Sequence, residues 1–209
     1  AGIPEPVRTG TRVQALSRDP GGWQADLGDD VVRARHVVIA TPADVAAELL
    51  ETIDAGAAER LSAIAYAPAI ALGFGVRQAE VKQPIEGFGF IAPRSSGLKL
   101  LGCLFMSRLF PGRAPEGYEL LHVILGGVRW PESLELPEDV VVDQAVADLD
   151  RTLGLAASPR CVAIQRWPRG IPQPGREHVR LIAQVSSRLE DLPGLHLAGG
   201  YVSGVGVAD

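Results

Sequence analysis

Glycine clusters, more than charged side chains, are the features of this chain that could do chemistry. The run Leu195-His196-Leu197-Ala198-Gly199-Gly200-Tyr201-Val202-Ser203-Gly204-Val205-Gly206-Val207-Ala208-Asp209 joins a short apolar segment to a glycine-dense one. A buried strand that enters such a loop brings bare backbone N–H groups close to a ligand, because glycine has no Cβ to hold it away. Asp209 is placed to cap a following helix. Three places invite comparison with the dinucleotide fingerprint, and none satisfies it. Gly73-Phe74-Gly75 lacks a third small residue at the right spacing, and Gly204-Val205-Gly206 lacks the third glycine. Gly87 to Ala92 fits the letters of G-x-G-x-x-A, but Pro93 follows. That motif works only where a helix N-terminus opens toward a pyrophosphate. Residues 1–209 therefore contain no diphosphate-binding loop.

The remaining reactive side chains are scattered. His36, His122, His178 and His196 show no metal-ligand spacing, so no metal is expected and each reads as a satisfied structural histidine. Cys103 and Cys161 each lie in an apolar run and read as small buried hydrophobes. No side chain is identifiable as a catalytic acid or base. A net charge of -5 with no basic patch excludes a nucleic-acid partner. No apolar run approaches the ~20 residues that span a bilayer. A basic start followed by an apolar core is also missing, so no signal peptide is expected. The chain opens Ala1-Gly2-Ile3-Pro4 without an initiator Met and reads as starting inside a longer protein.

The elements that must position these residues follow from pattern. With 24 glycines and 16 prolines, turns and short strands are favoured over a helical bundle. Residues 8–35 alternate like a three-stranded antiparallel ribbon, with turns at Asp19-Pro20-Gly21-Gly22 and Gly28-Asp29-Asp30. His36 to Ala40 is an unbroken apolar run, as in a strand buried on both faces. Thr41 is expected to cap the next helix, with Pro42 at its first position and Ala43 to Leu50 as its body. Strand-like runs then cover 69–76, 87–92, 98–106 and 120–125. An amphipathic helix follows, with Val142, Ala145, Val146, Leu149 and Leu153 on one face and Gly154 at its end. Cys161 to Trp167 reads as a strand ending at Pro168, 183–189 as helical, and Leu195 to Ala198 as a buried strand. The fold class is α/β of mixed α+β character. Residues 1–55 and 179–209 form one part, and 56–178 an inserted, mostly antiparallel sheet domain.

Five segments in this order resemble the FAD-dependent protoporphyrinogen and coproporphyrinogen oxidases. They are Gly10-Thr11-Arg12-Val13 with Val37-Val38-Ile39-Ala40-Thr41-Pro42; Gly87 to Pro93; Leu101-Gly102-Cys103-Leu104-Phe105-Met106-Ser107-Arg108-Leu109-Phe110-Pro111; Arg166-Trp167-Pro168-Arg169-Gly170-Ile171-Pro172-Gln173; and the closing glycine loop. The likeness covers essentially the whole chain. It implies a partial FAD-binding domain carrying an inserted substrate domain. It also implies that hydrides pass from a porphyrinogen to FAD over three two-electron rounds, with oxygen as final acceptor and hydrogen peroxide as its product. By resemblance, Val13 presents backbone to the adenine end of FAD, Trp167 lies near the flavin, and the backbone of Val205, Gly206 and Val207 approaches its ring. Gly89, Ile91, Leu104 and Ile124 match residues that line the apolar substrate pocket. The family's basic residue for a propionate is expected on a segment preceding this chain, with Arg94 or Arg169 assisting. A cytoplasmic protein with peripheral membrane contact and a homodimeric parent are further implications. Pro174 and Glu177 depart from the family pattern after the Pro-Gln pair, so the local turn is expected to be rebuilt.

Two alternatives stay open: another flavin oxidoreductase of the amine oxidase and phytoene desaturase type, and a flavin-free binding module built on the sheet. Because residues 1–209 lack a diphosphate loop, this chain alone is predicted not to hold FAD tightly. A fluorescence titration checks it, and sub-micromolar binding of FAD by the isolated chain would overturn it.

Overall fold

The computed structural model describes residues 7–204. It divides into two compact units, Ala1–Ala65 with Pro172–Asp209, and Tyr66–Ile171. The sequence reading set these boundaries at 55/56 and 178/179.

The discontinuous unit begins with the ribbon, β1 (Ala15–Asp19), β2 (Gly22–Asp26) and β3 (Val31–Ala34), antiparallel throughout. Trp23 on β2 is fully buried, and its indole N–H donates to the Pro193 carbonyl oxygen at 3.1 Å. That bond ties the ribbon to the entry of the last strand. β4 (Val37–Ile39) and β10 (Leu195–Leu197) pair in parallel, with His196 opposite Val38. α1 (Ala43–Leu50) starts one residue later than its sequence suggests. Pro42 is still extended (φ −53°, ψ 156°), and its carbonyl accepts from Ala46 N, which makes Pro42 the capping position. The Thr41 hydroxyl donates to the Pro42 carbonyl oxygen and so caps nothing. α2 (Ala55–Ser62) is capped by the Asp54 carboxylate, which accepts from Ala57 N at 2.9 Å and from Arg188 Nε at 2.6 Å. Arg188 belongs to α5 (His178–Glu190), so this one carboxylate joins both helices. Burial pushes the Asp54 carboxyl up, but the Ala57 amide and Arg188 outweigh it and hold the group below the ordinary carboxylate range.

The continuous unit is a five-stranded sheet in the order β6-β7-β8-β5-β9. Its strands are β5 (Tyr66–Arg77), β6 (Gly89–Ile91), β7 (Leu100–Phe105), β8 (Tyr118–Gly126) and β9 (Arg160–Pro172), with the one-turn helix α3 (Met106–Leu109) after β7. β9 continues through Pro168, where the sequence reading ends it. It is an edge strand, so a residue without an N–H costs no ladder bond on the solvent side. α4 (Glu138–Leu153) covers one face of the sheet. Its Val141, Ala145, Leu149 and Leu153 close a core with Ile70, Leu72, Phe74, Cys103, Phe105, Leu121, Val123 and Leu125.

The buried stripe of α4 is turned toward Val141 and Asp148, where the sequence reading expects Val142 and Val146. The reason is a carboxylate. Asp148 Oδ2 accepts Lys99 N at 2.6 Å and Leu100 N at 2.9 Å, the amides that open β7, and Gln144 donates to Oδ1 at 3.1 Å. A buried charge is tolerable when its lone pairs are taken up in this way. Asp148→Ala leaves two strand amides unpaired beneath the helix, and is predicted to cost about 3 kcal/mol of stability. A fall in denaturant midpoint of the full chain, with unchanged m, is the expected reading; an unchanged midpoint would refute it.

Candidate functional site

The sheet has one face under α4 and one face free of it. Alternation along a strand assigns each residue to one of the two. On β8 the core side takes Leu121, Val123 and Leu125, so Leu120, His122 and Ile124 belong to the other. Register carries this across the sheet. Gly89 pairs with Leu104, Leu104 with His122, and His122 with Gly73, which makes one row. Ile91 pairs with Gly102, Gly102 with Ile124, and Ile124 with Ala71, which makes the next. A bulge between Leu100 and Gly102 absorbs Leu101 and keeps Leu100 on the core side opposite Leu125. Gly89, Ile91, Leu104 and Ile124, drawn from three strands, are thus neighbours on one wall. Ile91 is 86% exposed there.

The wall is thin where glycine stands, and the backbone explains why. Gly89 has φ +137°, and a Cβ there would overlap the Cys103 carbonyl oxygen across the ladder. A Cβ at Gly102 would lie 2.7 Å from the Phe90 carbonyl oxygen. Both positions must be glycine for β6 and β7 to pair, and the result is a surface of low points between aliphatic side chains. Such a shape suits the face of a broad, flat, apolar ligand.

His122 departs from the reading that each histidine is a satisfied structural one. His178 Nε2 lies 2.8 Å from the Tyr201 carbonyl oxygen, and the stacked rings of His36 and His196 bring nitrogens within 3.5 Å. His122 has no side-chain hydrogen-bond partner among the described residues, and it stands on the wall. Strand parity with Ile124 was the signal that could have found it.

Arg166 and Trp167 have divided roles. Arg166 donates to three backbone carbonyls, those of Ser133 (3.0 Å), Leu134 (2.6 Å) and Leu136 (2.8 Å). It therefore clamps the turn that leads into α4. Alternation along β9 turns Trp167 to the opposite side, where it is 53% exposed. The Arg169 guanidinium lies 5.4 Å from the centre of the Tyr66 ring, and Arg94 sits in the exposed turn after β6. Burial pushes the Cys103 thiol up to about 12, so on the core side of β7 it is an uncharged small hydrophobe rather than a nucleophile.

In the discontinuous unit, the parallel strands β4 and β10 both end toward glycine-bearing or short loops, Ala40–Pro42 and Ala198–Gly204. The carboxyl ends of parallel strands are where α/β folds bind ligands. Gly199 (φ +143°) and Gly204 (φ +159°) adopt backbone that only glycine takes readily, so the loop offers amides without side chains. That donor set fits a flavin ring. Val13 stands partly exposed just before β1, and Gln14 N bonds Asp26 O to carry the ladder toward it. Val205, Gly206 and Val207 lie outside the described residues.

Residues 4–209 match the family described as flavin containing amine oxidoreductase. Among curated proteins, the chain is 34% identical over 184 residues to the chloroplastic protoporphyrinogen oxidase of Nicotiana tabacum, covering 83% of this chain and 34% of that protein. It is 26% identical over 205 residues to coproporphyrinogen III oxidase of Bacillus subtilis, covering 97% and 43%. The chain thus spans between a third and a half of the length of these relatives. A crystal structure from Exiguobacterium sp. 255-15, provisionally named a protoporphyrinogen oxidase, superposes with a TM-score of 0.75 at 24% identity, over 95% of this chain and 43% of that one. The ribbon, the parallel strand pair with its glycine loop and the inserted antiparallel sheet are shared with a known fold, and the chain belongs to the flavin containing amine oxidoreductase family.

Proposed function

We propose that the protein carrying this chain is an FAD-dependent porphyrinogen oxidase, converting protoporphyrinogen IX or coproporphyrinogen III to the porphyrin with oxygen as acceptor. The observation that carries the reading is the convergence of Ile91, Leu104 and Ile124, from three strands, on the wall opposite α4, with Gly89 and Gly102 as the low points between them. A porphyrinogen is a broad, mostly apolar disc with carboxylates at its edge, and this wall matches its face. Relatives named protoporphyrinogen and coproporphyrinogen oxidases support the same substrate class.

FAD, when bound, supplies the hydride acceptor and the reaction with oxygen. The backbone of Val205, Gly206 and Val207 would approach its ring, and the backbone at Val13 its adenine end. The chain's own contribution is then binding and orientation. Ile91, Leu104 and Ile124 would cover one side of the macrocycle and exclude water from it, and Trp167 would lie near the flavin. Arg94 or Arg169 would assist a propionate at the rim. We also propose a cytoplasmic protein, homodimeric and in peripheral contact with a membrane surface. Among the described residues no helix is long and apolar enough to cross a membrane.

The test is direct. The full-length, flavin-loaded protein, given each porphyrinogen under air, is expected to produce porphyrin fluorescence with matching oxygen uptake and peroxide release. Ile124→Asp places a charge under the disc and is expected to lower kcat/KM by about tenfold or more, given about 1.5–3 kcal/mol for burying such a side chain. A flavin-loaded protein that forms porphyrin from neither substrate would sink the proposal.

A further inference from the structure

The wall opposite α4 carries one titratable side chain in its two central rows. His122 has Leu104 beside it on β7 and Gly73 beside it on β5. Leu120 and Ile124 continue the same face along β8, and the diagonal positions are Gly102, Ala71 and Gly75. None of these neighbours carries a charge or a hydrogen-bonding side chain. An imidazole with two uncommitted nitrogens tolerates a half-buried apolar setting because water reaches it. A ligand that covers the wall removes that water and must then meet the ring itself, since an unpaired polar group beneath it would cost binding.

Neighbouring strands are about 4.8 Å apart and alternate residues about 6.8 Å apart along a strand. Leu104, His122 and Ile124 are therefore close enough together to lie under one tetrapyrrole disc. The polar groups a porphyrinogen presents on its face are its pyrrole N–H donors, its carboxylates being at the edge.

We propose that His122 accepts a pyrrole N–H of the bound porphyrinogen and takes its proton as the macrocycle is oxidised. The proposal rests on the porphyrinogen reading above. Conversion of a porphyrinogen to the porphyrin removes four bridging-carbon hydrogens and two pyrrole N–H hydrogens. In each of the three two-electron rounds one bridging C–H bond breaks and its electron pair leaves with the hydrogen as hydride, for which the bound flavin is the acceptor. In two of the rounds a pyrrole N–H bond breaks as well; its electron pair becomes part of the new conjugated C=N system, and its proton goes to the unprotonated ring nitrogen of His122. In the remaining round the proton comes from the fourth bridging carbon, whose C–H electron pair enters the conjugated system. Partial exposure lets the imidazolium return each proton to water between rounds.

His122→Gln and His122→Ala in the full-length, flavin-loaded protein test it. Bound-flavin absorbance and circular dichroism establish that each variant is folded. Both are expected to lose about 100-fold in kcat with KM changed by less than about threefold, the size of effect usual for a lost general base. Added imidazole is expected to restore His122→Ala and to leave His122→Gln unaffected. Porphyrin binding, read by fluorescence quenching without turnover, is expected to stay near that of the wild type. If the alanine variant fails to fold, the glutamine variant decides alone through its kcat. An unchanged kcat in either folded variant, or no rescue by imidazole, overturns the role of His122. So does a raised KM at unchanged kcat, which would mark a contact to a carboxylate instead. A wild-type protein that forms no porphyrin overturns the porphyrinogen reading and this proposal together, whereas an active wild type with unaffected variants overturns this proposal alone.

Discussion

The one-sided covering of the antiparallel sheet by α4 is the constraint on which the rest of the inserted unit depends. A sheet residue can point only up or down, so once Val141, Ala145, Leu149 and Leu153 are seated on one face, every side chain on the other face is determined as well. The core and the candidate wall are the two halves of a single register. A slip of one residue would bring His122 into the core and Val123 onto the wall.

That register is held by polar contacts rather than by apolar area alone. Asp148 fixes α4 against the first amides of β7, and Arg166 fixes the turn before α4 against β9. Both are charged groups spent on backbone, where charge-assisted hydrogen bonds are directional and hydrophobic contact is not. Apolar contact says that the helix lies on the sheet. These two residues say at which height and rotation. The bulge at Leu101 and the obligatory glycines at 89 and 102 then let β6 and β7 approach closely enough to complete the wall.

The discontinuous unit follows a different logic. Its strands are short, and its order comes from a few long-range bonds: Trp23 to Pro193, Val37 to Gly194, and Asp54 to Arg188. Each joins residues before the inserted sheet to residues after it. The first and last stretches of chain, which the sequence reading already joins, are tied by these bonds into one unit, with the glycine loop at the carboxyl end of its parallel strand pair.

Sequence by itself determined much of this. Turn chemistry at Asp19 to Gly22 and Gly28 to Asp30 marked the ribbon, apolar runs marked the strands, and the glycine at 154 marked the end of α4, because each is a local property of the residues concerned. The family was legible in five ordered motifs for the same reason. Tertiary structure decided the rest. The burial of Asp148 could not be read from a helical wheel, since a carboxylate becomes a core residue only when distant amides come to meet it. The cap of α1 turned on Pro42 remaining extended, which one dihedral angle settles. The reach of β9 past Pro168 depended on its being an edge strand. His122 looked like any other isolated histidine until the register set it beside Leu104 and Ile124, because which face a residue occupies is a property of the whole sheet and not of its neighbours in the chain.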